Sequence, residues 1–205
     1  MENKRGNETK KTVWTALLSA LALIFMHLDF PLPIFPSFLK VDLSDLPPLV
    51  ASFFYGPGTG VLVELVKNLL HLFTTTTAGV GELGNFLVGA AFVAPAGIIY
   101  RRHRTKQGAL RGLAVGTIFM TVAGGFANYF ILIPFYSRLV PIEQLIAMSA
   151  AVIPAVHDTF TLVLYGVVPF NLLKGAIISL LTLQLYKRFG RIMRHEKEAS
   201  QPPAP

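Results

Sequence analysis

The chain has 205 residues, of which 53% are hydrophobic and only 14% charged. Soluble domains carry about 25% charged residues, so this composition excludes a charge-coated soluble domain, and its apolar content excludes a disordered chain. With no cysteine at all, disulfides, thiolate metal sites and thiol catalysis are excluded too. The class that remains is a small integral membrane protein.

A net charge of +7 suits either nucleic acid or anionic lipid, and the placement of the charges decides between them. Of 18 Lys and Arg residues, four lie in Lys4–Lys11, five in Arg101–Arg111 and five in Lys187–Lys197. The other four are Lys40, Lys67, Arg138 and Lys174. Basic clusters at the ends of membrane segments mark the cytoplasmic side of a polytopic protein. A lipid bilayer is the expected partner; nucleic acid is not.

Residues 1–12 read as a basic cytoplasmic tail. The first apolar run, Val13–Leu28, leads into Asp29-Phe30-Pro31 instead of a small-residue cleavage site, so it reads as a retained helix, not a signal peptide. Within it Ala16 and Ala20 stand four apart, a spacing that allows close helix approach in lipid. The prolines of Pro31–Lys40 break the helix. Ser44 is the expected N-cap of a short helix, Asp45–Tyr55, with Pro47 and Pro48 in its first turn. Gly56-Pro57-Gly58 turns the chain into a further helix, Thr59–Phe73. Neither of these two helices spans a bilayer comfortably alone.

Thr74–Gly81 reads as a polar, flexible connection to a fourth segment, Glu82–Tyr100. The fifth, Gly108–Pro134, is long enough to tilt or to break at Gly124-Gly125. Ile142–Ile153 is an amphipathic stretch expected at the membrane surface, and the sixth segment, Thr159–Tyr186, is interrupted near Pro169. Residues 189–205 form a second cytoplasmic tail, basic and then Pro-rich, with a disordered end at Gln201–Pro205. The expected fold class is therefore an all-α integral membrane protein, with six transmembrane helices in residues 13–188 and both termini cytoplasmic. That orientation places 14 of the 18 positive charges inside.

Ionisable and amide groups inside such segments are functional candidates. Glu64 and Lys67, three apart beside Asn68 and His71, read as a local ion pair or as a polar link to another helix. Asn171 and Lys174 share a helix face just after Pro169 and either offer donors and an acceptor to a polar organic ligand or, for Lys174, snorkel to an interface. Asn128 follows Gly124-Gly125 and suits either an interhelical hydrogen bond or a ligand. In the first outer loop Asp45 reads as favourable helix-start electrostatics, while Lys40 and Asp42 suit a lid over an outward-facing pocket. Aromatic side chains near Asn128 and Pro169 are candidates to stack on a flat ring. The five histidines show no metal spacing, and no nucleophile motif is present, so neither a metal nor a catalytic residue is assigned. There is no room for an ATPase and no phosphate-binding loop.

With these residues in view the chain resembles the riboflavin-specific S components (RibU type) of energy-coupling factor, or ECF, vitamin transporters. The resemblance runs from about Thr12 to Arg188 and is carried by Phe35–Pro47, Gly56–His71, Asn128-Tyr129-Phe130 with Pro134, and Pro169–Gly175. It implies a six-helix substrate-capture subunit in the bacterial plasma membrane, not an enzyme. Such a subunit takes riboflavin from outside as a transported ligand, not a cofactor, and docks on a membrane-embedded coupling (T) protein driven by two ATPase subunits. Acceptance of FMN stays open. The resemblance implies ligand contacts at Asn171, Lys174 and Asn128, candidate contacts at Leu39, Lys40 and Asp42, and a coupling-protein face at Ala16 and Ala20. The alternatives are an S component for another vitamin, a stand-alone secondary transporter, for which paired broken helices in repeated halves are missing, and a membrane enzyme, for which a catalytic cluster is missing.

Overall fold

The computed structural model describes the backbone of residues 2–138 and 140–199, and the side chains of residue 6 and of residues 8–138 and 140–186. The Pro-rich end at Gln201–Pro205 lies outside the described residues. Helix α1 runs Glu2–His27, so it starts well inside the segment expected to be a tail. Two short strands follow, β1 (Phe30–Pro31) and β2 (Lys40–Val41), paired antiparallel as the only sheet among the described residues. The chain continues as α2 (Leu46–Tyr55), α3 (Pro57–His71), α4 (Val80–Arg102) and α5 (Lys106–Ala127). A π-helical turn, Asn128–Leu132, extends α5 into α6 (Ile133–Tyr136), and α7 (Ile142–Ala150) lies beyond. The last segment is α8 (Thr159–Leu162), a second π turn (Val163–Val167) and α9 (Val168–Ala199).

Four stretches among the described residues are long and apolar enough to cross a membrane: Glu8–His27, Val80–Arg102, Lys106–Tyr136 and Thr159–Tyr186. The sequence led us to expect six. Helices α2 and α3, with 10 and 15 residues, rise roughly 15 and 22 Å, less than the roughly 30 Å of a hydrocarbon core.

Local chemistry explains the boundaries. Gly56, at φ 98°, makes the corner between α2 and α3, and Pro57 follows at the start of α3, where its missing N–H costs nothing. Asp45, not Ser44, holds the N-cap position of α2, and it makes no capping bond with its side chain. Thr105 caps α5 by accepting from the Gly108 N–H, and Asp158 with Thr161 forms a capping box on α8. The expected break at Gly124-Gly125 does not occur: α5 passes through both glycines, and the irregularity comes four residues later. Likewise the disturbance expected at Pro169 is the π turn just before it.

The core is built on the α4–α5 hairpin. A Cβ at Gly112 or Gly116 would come within 2.6 Å of the Ala96 or Phe92 carbonyl oxygen, so only glycine lets the two backbones approach this closely. Phe92, Leu113, Met120 and Ile178 fill the space between α4, α5 and α9. On the other flank α1 packs against α2 and α3 through Leu18, Ala22, Ala51 and Val63.

Candidate functional site

A cavity of about 160 Å³ opens at the end of the bundle away from the basic α4–α5 turn. Its wall comes from the first half of α4, the end of α5 with α6, the start of α9 and the loop Phe38–Asp45. Two different kinds of polar surface meet there.

The first is a dry chain of charges. Lys174 places Nζ 2.9 Å from Asp42 Oδ2 and 3.3 Å from Asp45 Oδ2. Lys67 places its own Nζ 2.7 Å from Asp45 Oδ1 and 2.9 Å from Glu64 Oε2. It also donates to Ser44 Oγ at 2.8 Å, which explains why that hydroxyl is not the helix cap. The Ser44 N–H donates to Asp42 Oδ1 at 2.8 Å, tying the loop to the same network. All five ionisable groups are buried, Glu64 and Lys67 completely. A charge taken out of water survives only beside its opposite, so these residues pin the loop and α3 to α9. Glu64 lies against α4, where a Cβ on Gly89 would fall 2.6 Å from Oε2.

The second surface is made of amides. Asn128 Nδ2 donates to the Gly124 carbonyl at 2.8 Å, and Asn171 Nδ2 donates to the Val167 carbonyl at 2.9 Å. Each bond returns to the residue's own helix beside a π turn, a feature frequent at functional sites. The two amides converge on α5, because a Cβ on Gly124 would sit 2.7 Å from Asn171 Nδ2. Neither Oδ1 accepts a hydrogen bond from a described residue. Each amide thus keeps an acceptor available at the cavity wall.

All six residues expected to meet a substrate line this one cavity: Leu39, Lys40, Asp42, Asn128, Asn171 and Lys174. Three expectations around the cavity are corrected. Lys174 does not offer a free ammonium, since two carboxylates hold it. Asp45, expected only to favour the start of α2, is a buried link between both lysines. The connection Thr74–Gly81 is not loose: Glu82 accepts from Thr75 and Thr77 at 3.0 and 3.1 Å and lies 2.7 Å from His71 Nδ1. Of the aromatic candidates, Phe170 lines the cavity, whereas Phe126 and Phe130 are exposed on the outer surface. Lys40 sits at the rim, 3.0 Å from Asp29.

Sequence reasoning missed Asn85 and Tyr136, which also line the cavity. Charge arithmetic held a signal for Asp45: lysines 67 and 174 lie outside the basic clusters, so each needs an internal acid. Away from the cavity, Ala16 and Ala20 lie on an exposed face of α1 with Leu17, Leu21 and Ile24, the face turned away from buried Leu18, Ala22 and Met26.

Comparison with known proteins adds an independent line. The family described as ECF transporter, substrate-specific component, matches residues 10–186. A riboflavin transporter RibU of Staphylococcus aureus is 35% identical over 91% of this chain and 94% of its own length. A riboflavin transporter FmnP of Bacillus subtilis is 33% identical over 94% of this chain and 98% of its own. A solved structure described as the S component of a bacterial ECF transporter superposes with a TM-score of 0.73 at 34% identity, covering 91% of this chain and 98% of that one. The chain is a multi-pass bacterial membrane protein and belongs to the substrate-specific components of ECF transporters.

Proposed function

We propose that this chain captures riboflavin at the outer face of the membrane. The observation that carries the reading is the cavity wall, where the amides of Asn128 and Asn171 and the buried ring of Phe170 stand beside the paired charges of Asp42, Asp45 and Lys174. Isoalloxazine is flat and largely apolar with a polar pyrimidine edge, and a few fixed amides beside an apolar ring suit it. The names of the relatives in Staphylococcus aureus and Bacillus subtilis support the choice of ligand. The open volume of about 160 Å³ is smaller than the roughly 300–1,000 Å³ of typical small-molecule sites. Flavin entry therefore requires the site to widen, and we assign that movement to the loop Phe38–Asp42, which forms one wall.

The proposed topology is six membrane segments in residues 13–188, counting α2 and α3, with both tails cytoplasmic. The three basic clusters support this orientation. The proposed partners are a membrane-embedded coupling protein and two ATPase subunits, with the exposed Ala16–Ala20 face of α1 as the contact. Ala16→Trp with Ala20→Trp should abolish riboflavin uptake by cells while leaving flavin binding by the purified chain intact; undiminished uptake rejects that face.

The ligand is tested on protein purified in detergent after growth in rich medium. Flavin absorbance, with release of about one riboflavin per chain by mass spectrometry, is the expected result. A colourless protein that fails to quench added riboflavin rejects the ligand and leaves the family standing. Quenching by FMN with equal affinity widens the substrate class to the nucleotide.

A further inference from the structure

Asn85 lies on α4, a different helix from those that carry the two amides described above, and it lines the same cavity. Its orientation follows from its neighbours. Asn68 Nδ2 donates to the Glu64 carbonyl at 2.8 Å, and a backbone carbonyl can only accept, so the amide of Asn68 cannot be turned round. The same nitrogen donates to Asn85 Oδ1 at 3.3 Å. Turning Asn85 over would set two donors against each other. The oxygen of Asn85 therefore faces Asn68.

The Nδ2 of Asn85 is left with two N–H groups and no acceptor among the described residues. Asn68 Oδ1 does not serve, since it is buried without any partner. Where Asn128 and Asn171 leave acceptors at the wall, Asn85 leaves donors. A flavin presents both kinds of group: an imide N–H, and oxygens on the ring and the ribityl chain.

We propose that Asn85 is a flavin-contacting residue that sets specificity, its Nδ2 donating to an oxygen of the bound flavin. The inference rests on the riboflavin reading of the site. The relay behind the contact is built on the backbone of α3: the main-chain carbonyl of Glu64 orients Asn68, which orients Asn85.

The test is fluorescence-quenching titration of the full-length protein in detergent with riboflavin and with lumiflavin, which has the ring but no ribityl chain. Asn85→Asp keeps the oxygen that Asn68 needs and removes both N–H donors. We expect at least a tenfold loss of riboflavin affinity with the ligand-free melting temperature unchanged. An equal loss for lumiflavin assigns the acceptor to a ring oxygen; a loss confined to riboflavin assigns it to the ribityl chain. Asn85→Ser, small and uncharged, replaces the aspartate if that variant does not fold. Wild-type affinity in either folded variant overturns the proposal, as does a loss that follows a fall in ligand-free melting temperature. Failure of the wild-type protein to bind riboflavin is a separate result, and it rejects the ligand reading itself.

Discussion

The two polar surfaces of the cavity solve the same problem in opposite ways. On one, Asp42, Asp45 and Glu64 are paired with Lys67 and Lys174 in a buried network. On the other, Asn128 and Asn171 commit a donor to their own helices and keep an acceptor. Charges paired with each other have little left to give a ligand, and breaking one pair leaves its partner stranded. Amides are neutral, so they can wait partly unpaired at a cavity wall at modest cost. We propose from this contrast that the ions anchor the loop and the amides recognise the ligand.

The largest effect should come from the ionic side. Lys67→Met leaves Asp45 and Glu64 without their shared cation, and losing one partner of a buried pair costs about 3–5 kcal/mol. Thermal unfolding in detergent should show a much lowered transition or no folded protein; an unchanged transition would remove the ions from the scaffold. Lys174→Ala tests the border between the two roles. It should lower both stability and flavin affinity, because it frees Asp42 and loosens the loop.

Asn171→Ala should separate the roles cleanly. Loss of one well-placed hydrogen bond is worth about 1–3 kcal/mol, so riboflavin affinity should fall about tenfold or more by quenching titration, with little change in ligand-free melting. Equal losses of stability and affinity would erase the distinction. A subtler version is Gly124→Ala. The added methyl meets Asn171 Nδ2 at 2.7 Å, so the amide must shift, and affinity should fall several-fold while the polar groups themselves are untouched.

The smallest effect belongs to the rim. The pair Lys40–Asp29 is roughly half exposed, and exposed pairs contribute about 0–1 kcal/mol. Lys40→Ala should leave melting unchanged. Stopped-flow quenching should show faster flavin entry and release, by a few-fold, if this contact restrains the loop; equal rates would free the loop from that restraint.

The same contrast explains what was legible beforehand. The long helices were readable because apolar runs such as Glu82–Tyr100 exceed what any soluble core needs, and because basic clusters punctuate them. Asn171, Lys174 and Asn128 stood out as polar groups in apolar surroundings. What did not show was partnership. Lys174 and Asp42 are 132 positions apart, and nothing in local spacing links them, so the lysine was read as free. Asp45 was given a local role for the same reason. Asn85 passed unnoticed because its meaning depends on the direction of one amide, which Asn68 decides only once α3 and α4 are packed. Of the two readings of the fifth segment, a tilt or a break at Gly124-Gly125, the break is absent: glycine permits a bend, but here Gly124 permits contact with a side chain from α9.

The unequal helix lengths carry a consequence for the surrounding lipid. The stretch Lys106–Tyr136, 31 residues, rises about 46 Å if straight, whereas α3 rises about half as far. One flank of the molecule is thus too tall for a bilayer and another too short, and each mismatch costs a fraction of a kcal/mol per ångström. No single upright posture satisfies both. On the proposed six-segment topology, acyl-chain length should influence the protein's inclination, with thin membranes favouring a lean of the tall flank and thick ones having to thin around the short flank.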